Sequence, residues 1–127
     1  MIKVQLKDVV NSIDIFREWA NKELKSRTAF KLARLFKALD AEFTMFNETR
    51  TKIVDKYTEK DENGNPVITE SNEYKLKEDQ IGAFQEEISS LLDTEISLDV
   101  DPIALDEIEN IENTPAQMMV MEPFIEG

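Results

Sequence analysis

Arg50 is the most anomalous charged residue in this sequence, because it interrupts an otherwise apolar helical repeat. A buried guanidinium at such a position needs a carboxylate or a polar ligand, since an unpaired buried charge is very costly. It could then contact an anion or a partner, or fix register through an ion pair between helices. If the repeat has left the core by this turn, Arg50 is a solvated side chain, and its polar neighbours Thr49, Thr51 and Lys52 favour that. With Lys52 and Lys56 it makes a candidate set of anion contacts at an interface.

Other constellations point to less. Asp99, Asp101 and Asp106 could gather around Ca²⁺ or Mg²⁺, and Asp61, Asn63 and Asn65 echo the start of an EF-hand loop. That loop requires Gly after the third ligand and Glu at its end; here those places hold Pro66 and Asn72. Asp99 and Asp101 alternate with apolar residues, as the outward side chains of a strand do. The basic set Lys22, Lys25, Arg27, Lys31, Arg34 and Lys37 would suit phosphates. Yet Lys31, Arg34 and Lys37 recur as on a solvated helix face, and a net charge of −12 repels nucleic acid at long range.

Reaction chemistry is scarce. The chain has no Cys and no His, which removes thiol nucleophiles, thiolate metal sites, the commonest general base and the commonest zinc ligand. No Gly-rich phosphate loop or nucleophile elbow is present. Carboxylate pairs are too numerous to select a glycosidase-type couple. No catalytic residue, metal ligand or cofactor site is expected, and the chain is expected not to be an enzyme.

The charge distribution is more informative. Residues 1–60 hold 13 basic and 9 acidic side chains, whereas residues 61–127 hold 2 and 18, and Lys77 is the last basic residue. A folded chain so divided can neutralise itself between halves or between subunits. An acidic second half could instead imitate nucleic acid, presenting carboxylates as false phosphates to a DNA- or RNA-binding target.

The elements that must position these residues are set by periodicity. Ile2, Val4 and Leu6 alternate as a short strand; Val9, Ile13, Phe16 and Ala20, with Trp19, predict a first helix over 8–24 with Asp8 as its N-cap. A second helix is expected from Ser26 to about Glu59. Its seam of Leu32, Phe36, Leu39, Phe43, Phe46, Arg50, Ile53 and Tyr57 alternates four- and three-residue steps over nearly four heptads, widened early by Ala33, Leu35 and Met45. About 30 residues of helix span about 45 Å, more than the roughly 26 Å diameter of a compact 100-residue domain. The far end is therefore expected to pack on another subunit.

The cluster Asp61–Pro66, with Asn63-Gly64 suited to a type I′ turn, opens a β-turn or hairpin insert over about 61–77. Ile81, Phe84, Ile88 and Leu91 mark a third helix over 79–93. Ile96, Leu98 and Val100 predict a strand ended by Pro102, and Ile108 and Ile111 a further short strand within 106–112. Thr114, Pro115 and Gln117 supply an N-cap, an N1 proline and a capping-box partner for a helix over 115–122, stopped by Pro123. Its Met118, Met119 and Met121, then Phe124, are apolar for such a segment and must dock; they complete the candidate interface.

Several stretches together resemble a family. Thr28–Leu35, the long helix to Tyr57, the Asp61-Glu62-Asn63-Gly64-Asn65 turn and the closing Thr114-Pro-Ala-Gln-Met-Met-Val-Met-Glu-Pro-Phe-Ile125 are similar to small acidic, mostly uncharacterised proteins of tailed phages and prophages of Gram-positive bacteria. The resemblance covers essentially the whole chain. It implies no catalytic residues, and implies a phage protein acting on host machinery or on phage assembly.

The expected fold is α+β and predominantly α. It is one domain, 1–127, with a long antiparallel helical hairpin (the helical parts about 8–60 and 79–93), a third helix and a small β-sheet, and an acidic strand and short-helix segment over 95–125. The N-terminal stretch lacks the apolar run of a signal peptide, and no stretch of about 18 apolar residues exists to span a bilayer. The expectation is a cytoplasmic protein, in the host cytoplasm. It binds a protein partner and forms a homo-oligomer, without membrane or direct nucleic-acid contact. It acts by protein–protein association on host machinery or host defence; an assembly chaperone, a nucleic-acid mimic and an oligomeric ligand-sequestering protein are the alternatives.

Overall fold

Alternation at the N-terminus produces strand β1 (Ile2–Gln5) in the structure, a computed structural model that describes residues 1–126. Helix α1 (Leu6–Trp19) comes at once, then α2 (Ser26–Tyr57), α3 (Ile81–Leu92), β2 (Glu95–Leu98), β3 (Ile103–Ala104), α4 (Pro115–Met121) and β4 (Ile125–Glu126). The fold is α+β and mostly helical, as expected, with α2 as its long helix. Contacts divide the chain into two compact units. A terminal unit comprises Met1–Thr44 and Thr94–Gly127, and a central unit comprises Met45–Asp93.

The terminal unit is a layered apolar core. β1 pairs antiparallel with β2, Ile2 opposite Leu98 and Val4 opposite Ile96, so the period-2 residues Ile2, Val4 and Leu98 all turn inward and are buried. Val9, Ile13 and Phe16 of α1 meet the core together with Leu32, Leu35 and Leu39 of α2. Phe16 stands edge-on to Trp19 (centroids 5.7 Å apart) and to Phe124 (5.3 Å). Burying each such side chain contributes about 1.5–3 kcal/mol, and the aromatic pairs add about 0.5–1.5 kcal/mol each.

Local chemistry shifts several expected boundaries. Asp8 is not the N-cap of α1: Gln5 holds that place, and its N–H donates to Asp8 Oδ2 at 2.9 Å, so Asp8 acts from inside the first turn. α1 ends at Trp19 rather than at Leu24. Asn21 Nδ2 donates to the Arg17 carbonyl (3.1 Å), and the N–H groups of Asn21 and Lys22 turn tightly onto Glu18 and Trp19. The indole N–H of Trp19 is tied to Asn113 Oδ1 at 2.9 Å.

The expected small sheet forms between β1 and β2, without the further strand expected within 106–112, and a separate parallel pair joins β3 and β4. Ile108 and Ile111 are buried, but not in a strand. Leu105–Ile108 is a 3₁₀ turn, and the threefold spacing of the two isoleucines puts both on one side of it. Thr114 caps α4 as expected: its Oγ1 accepts from Gln117 N–H (3.1 Å) while Gln117 Oε1 accepts from Thr114 N–H (2.9 Å). α4 stops at Met121, and Pro123 lies within a subsequent 3₁₀ turn, Glu122–Phe124.

The central unit begins with the second part of α2, which ends at Tyr57. Beyond that helix the chain forms more than a hairpin. Antiparallel bridges join Lys60 to Pro66, Ile68 to Tyr74 and Leu76 back to Thr58. Each of three short segments thus pairs with both others, which an open three-stranded meander cannot do. The bonds run in a ring: Val67 N–H donates to Glu59 C=O (2.8 Å), Lys75 N–H to Val67 C=O (2.9 Å), and Glu59 N–H to Lys75 C=O (2.8 Å). A second set repeats the pattern outside it: Asp61 to Asn65, Thr69 to Glu73 and Lys77 to Tyr57. Residues 58, 66 and 74 are equivalent, as are 60, 68 and 76, so an eight-residue repeat closes a triangle of strands with threefold pseudosymmetry.

The two turns of this triangle share one design. Gly64 N–H bonds Asp61 C=O (3.0 Å), and Asn72 N–H bonds Thr69 C=O (2.9 Å); Gly64 and Asn72 take the left-handed conformation, φ +79° and +64°. Only one residue of each turn has positive φ, so the type I′ turn expected at Asn63-Gly64 does not form. Asp61 decides this: its Oδ1 accepts from the N–H groups of Asn63 (2.9 Å) and Asn65 (3.0 Å), holding Asn63 at negative φ. After the triangle a 3₁₀ turn, Glu78–Gln80, leads into α3, whose Phe84 stands edge-on to Tyr57 at 5.9 Å. No helix among the described residues is long and apolar enough to cross a membrane.

Candidate functional site

The seven candidate interface residues separate into different environments. Met121 and Phe124 are fully buried in the terminal unit's own core, which removes them from any surface. The tail docks, as its composition requires, but on α1. Met118 is half-buried beside Met119, which is 75% exposed because it lies on the opposite side of α4 from Met121.

Arg50, Lys52 and Lys56 do not converge. On an α-helix they are about 200° and 240° apart around the axis from Arg50, and all three are exposed. The seam does leave the core here: Phe46 and Tyr57 are buried, Ile53 is half-buried, and Arg50 between them faces solvent. Met45 and Ala33, expected to widen the apolar stripe, are exposed as well, whereas Leu35 is fully buried.

Lys56 has a task inside the unit. Its Nζ donates to Glu87 Oε1 at 3.1 Å and lies 5.2 Å from the Tyr57 ring centroid. The Tyr57 phenol and then the Lys56 ammonium hold the Glu87 carboxyl below the usual carboxylate range. Reciprocally, Glu87 holds the Lys56 ammonium and the Tyr57 phenol above their ordinary values. Glu87 Oε2 is buried without a hydrogen-bond partner of standard geometry among the described residues. The phenol therefore acts on it by proximity rather than through a closed bond. The arrangement joins α2 to α3 and leaves no anion site at Lys56.

Arg50 instead lies at a groove. Along one side run Arg50, Thr51, Val54 and Asp55 of α2; the other side is Thr58, Pro66 and Tyr74 of the triangle. A groove of about 160 Å³, open to solvent, lies between them. Thr58, Pro66 and Tyr74 are the three equivalent positions of the eight-residue repeat, which is why one residue from each segment reaches the same groove. The Thr51 and Thr58 hydroxyls donate to the carbonyls of Asn47 and Val54; Thr51 is exposed, its oxygen left as an acceptor only, whereas Thr58 is buried beneath the groove. Asp55 is paired with Lys60. Sequence reasoning missed Thr51, Val54, Thr58, Pro66 and Tyr74; the eight-residue spacing was the signal that could have found the last three.

Elsewhere, Glu107 anchors the terminal unit's acidic segment. Its Oε1 accepts from Lys31 Nζ (2.7 Å) and from Ala104 N–H (2.9 Å), and these two bonds, the lysine first, hold its carboxyl below the usual range. Asp99 and Asp101 line a groove with Arg27, Lys31 and Arg34, so they lie among cations rather than around one. No group of three or more Asp or Glu among the described residues is placed to hold a metal ion.

The chain matches no protein-family model, no curated protein and no solved structure. Its function therefore has to be argued from these surfaces.

Proposed function

We propose that this chain is a non-enzymatic interaction protein that works by protein–protein association, with a second copy of itself as its partner. One observation carries the reading. In the central unit only Phe46 and Tyr57 are buried apolar side chains. Ile53, Phe84, Ile88, Leu91 and Leu92 are half-buried, and Met45 is 61% exposed. An apolar row left this open on helices favours a protein partner, and a self-complementary face favours a twofold pair.

Charge supports a second copy as the occupant. Residues 78–93 carry Glu78, Asp79, Glu86, Glu87 and Asp93 and no basic residue, whereas α2 offers the exposed Lys52. α2 of one copy against α3 of the other would join unlike charges around the apolar row. The resemblance to phage proteins gives the setting: a phage-encoded oligomer acting on host machinery or host defence.

Light scattering after size exclusion tests this at concentrations of about 10–100 μM, where contacts of ordinary specific affinity persist. The expected result is a dimer or larger closed oligomer. Met45→Glu combined with Ile81→Glu, both at exposed positions, should dissociate it with an unchanged helical spectrum. A strict monomer across that range overturns the reading.

A further inference from the structure

The groove beside Arg50 has no part in the proposed self-association, and its chemistry is selective in its own right. Its cation is uncommitted: the Arg50 guanidinium has no ion pair or hydrogen bond among the described residues, whereas the other groove charge, Asp55, is neutralised by Lys60. Its walls are flat and apolar where they are not polar acceptors, with Tyr74 55% exposed, Pro66 beside it and Val54 opposite. Its volume, about 160 Å³, is below the roughly 300–1,000 Å³ of drug-sized sites and suits a single flat ring with one charged group; like those sites it pairs apolar walls with a few polar groups.

We infer that this groove binds a small organic anion: a flat ring seated on Tyr74 and Pro66, with one carboxylate or phosphate on the Arg50 guanidinium. The planar guanidinium forks two N–H groups onto either oxyanion. The Thr51 oxygen can accept from an N–H or O–H group on the ring's edge. Neutral rings lack the first contact and inorganic anions lack the second, so the site requires both parts in one molecule. The closed ring of strand bonds holds Pro66 and Tyr74 at fixed places relative to Thr58, which lowers the ordering cost of binding.

The test is a titration of ¹⁵N-labelled full-length chain, monitored by amide shifts, with two anions and their neutral counterparts. Phenylacetate against phenylacetamide represents a carboxylate source, and adenosine monophosphate against adenosine a phosphate source. At least one anion should saturate shifts at Thr51, Val54, Asp55 and Tyr74, with its neutral counterpart about tenfold weaker or more. Arg50→Gln should weaken that anion by a similar factor, and Arg50→Lys by less. Tyr74→Leu should weaken it while leaving the amide spectrum of the triangle dispersed. Both altered side chains are exposed, so neither change threatens the fold. The proposal is overturned if neither anion saturates by about 10 mM, if charged and neutral partners bind alike, or if Arg50→Gln changes nothing. These results are separable from oligomeric state, which the same samples report through linewidth.

Discussion

The terminal and central units are stabilised in different ways. Among the described residues, sixteen of the eighteen buried apolar side chains belong to the terminal unit, and two to the central one. The terminal unit closes around Phe16, Trp19, Met121 and Phe124, side chains drawn from distant parts of the chain. The central unit has ordered backbone pairing and specific turns but little apolar interior. Secondary structure with few buried side chains needs either unusually good local bonding or a partner. The triangle has the first; the α2–α3 pair, on our reading, has the second.

The largest expected difference comes from truncating one apolar side chain in each unit. Phe124→Ala should cost about 3–5 kcal/mol in chemical denaturation, the range for a large buried aromatic. Ile88→Ala, at a half-buried position, should cost only about 1 kcal/mol when the protein is dilute. If the cost at Ile88 grows with protein concentration, a second copy is covering it and the contrast sharpens. Equal, concentration-independent costs would remove the comparison.

A smaller effect should appear in the triangle, where turn geometry takes the place of a core. Gly64→Ala meets no atom within 4 Å, so its cost is conformational, about 1 kcal/mol for a side chain forced to φ +79°. Asn72→Gly, at the equivalent turn, should stay within about 0.5 kcal/mol, because Asn already tolerates that region. Loss of triangle amide protection in Gly64→Ala but not in Asn72→Gly is the readout. Equal tolerance at both would mean that packing, not turns, holds the triangle.

The smallest effect is on pH dependence. Glu107 in the terminal unit and Glu87 in the central unit both have carboxyls held below the usual range. Each therefore contributes stability above the unfolded Glu value, about pH 4.3. That contribution is lost as pH falls through the lower, folded value. Lys31→Met should flatten the acid limb of a urea-midpoint profile more than Lys56→Met. The Lys31–Glu107 pair is the better shielded, its side chains 31% and 20% exposed against 61% and 40% for Lys56–Glu87. An equal flattening would place both pairs in the same solvent regime.

Much of the fold was legible in the sequence where a rule is local. Thr114 to Gln117 announced a capped helix, Ile2 to Val4 a strand, and Leu32 to Tyr57 one long helix, because each depends on residues a few positions apart. The site was less legible. Met121 and Phe124 read as a sticky tail, since nothing nearby in sequence reveals that Phe16 receives them. Arg50 was marked, but its groove partners Pro66 and Tyr74 are brought there by a closure of three segments. The separate β3–β4 pair has the same origin: β3 finds β4 only after α4 has turned the chain back.

The sequence by itself determined the four helices, the strands β1 and β2, and the division of charge at Lys77. Periodicity and capping act within a few residues, so they survive translation into structure almost unchanged. Only the tertiary structure decided which apolar rows are covered and which stay open, and that the eight-residue repeat closes on itself beside Arg50. Those outcomes depend on contacts between residues far apart in the chain, and a linear pattern states a side chain's direction along its element but not what it meets there.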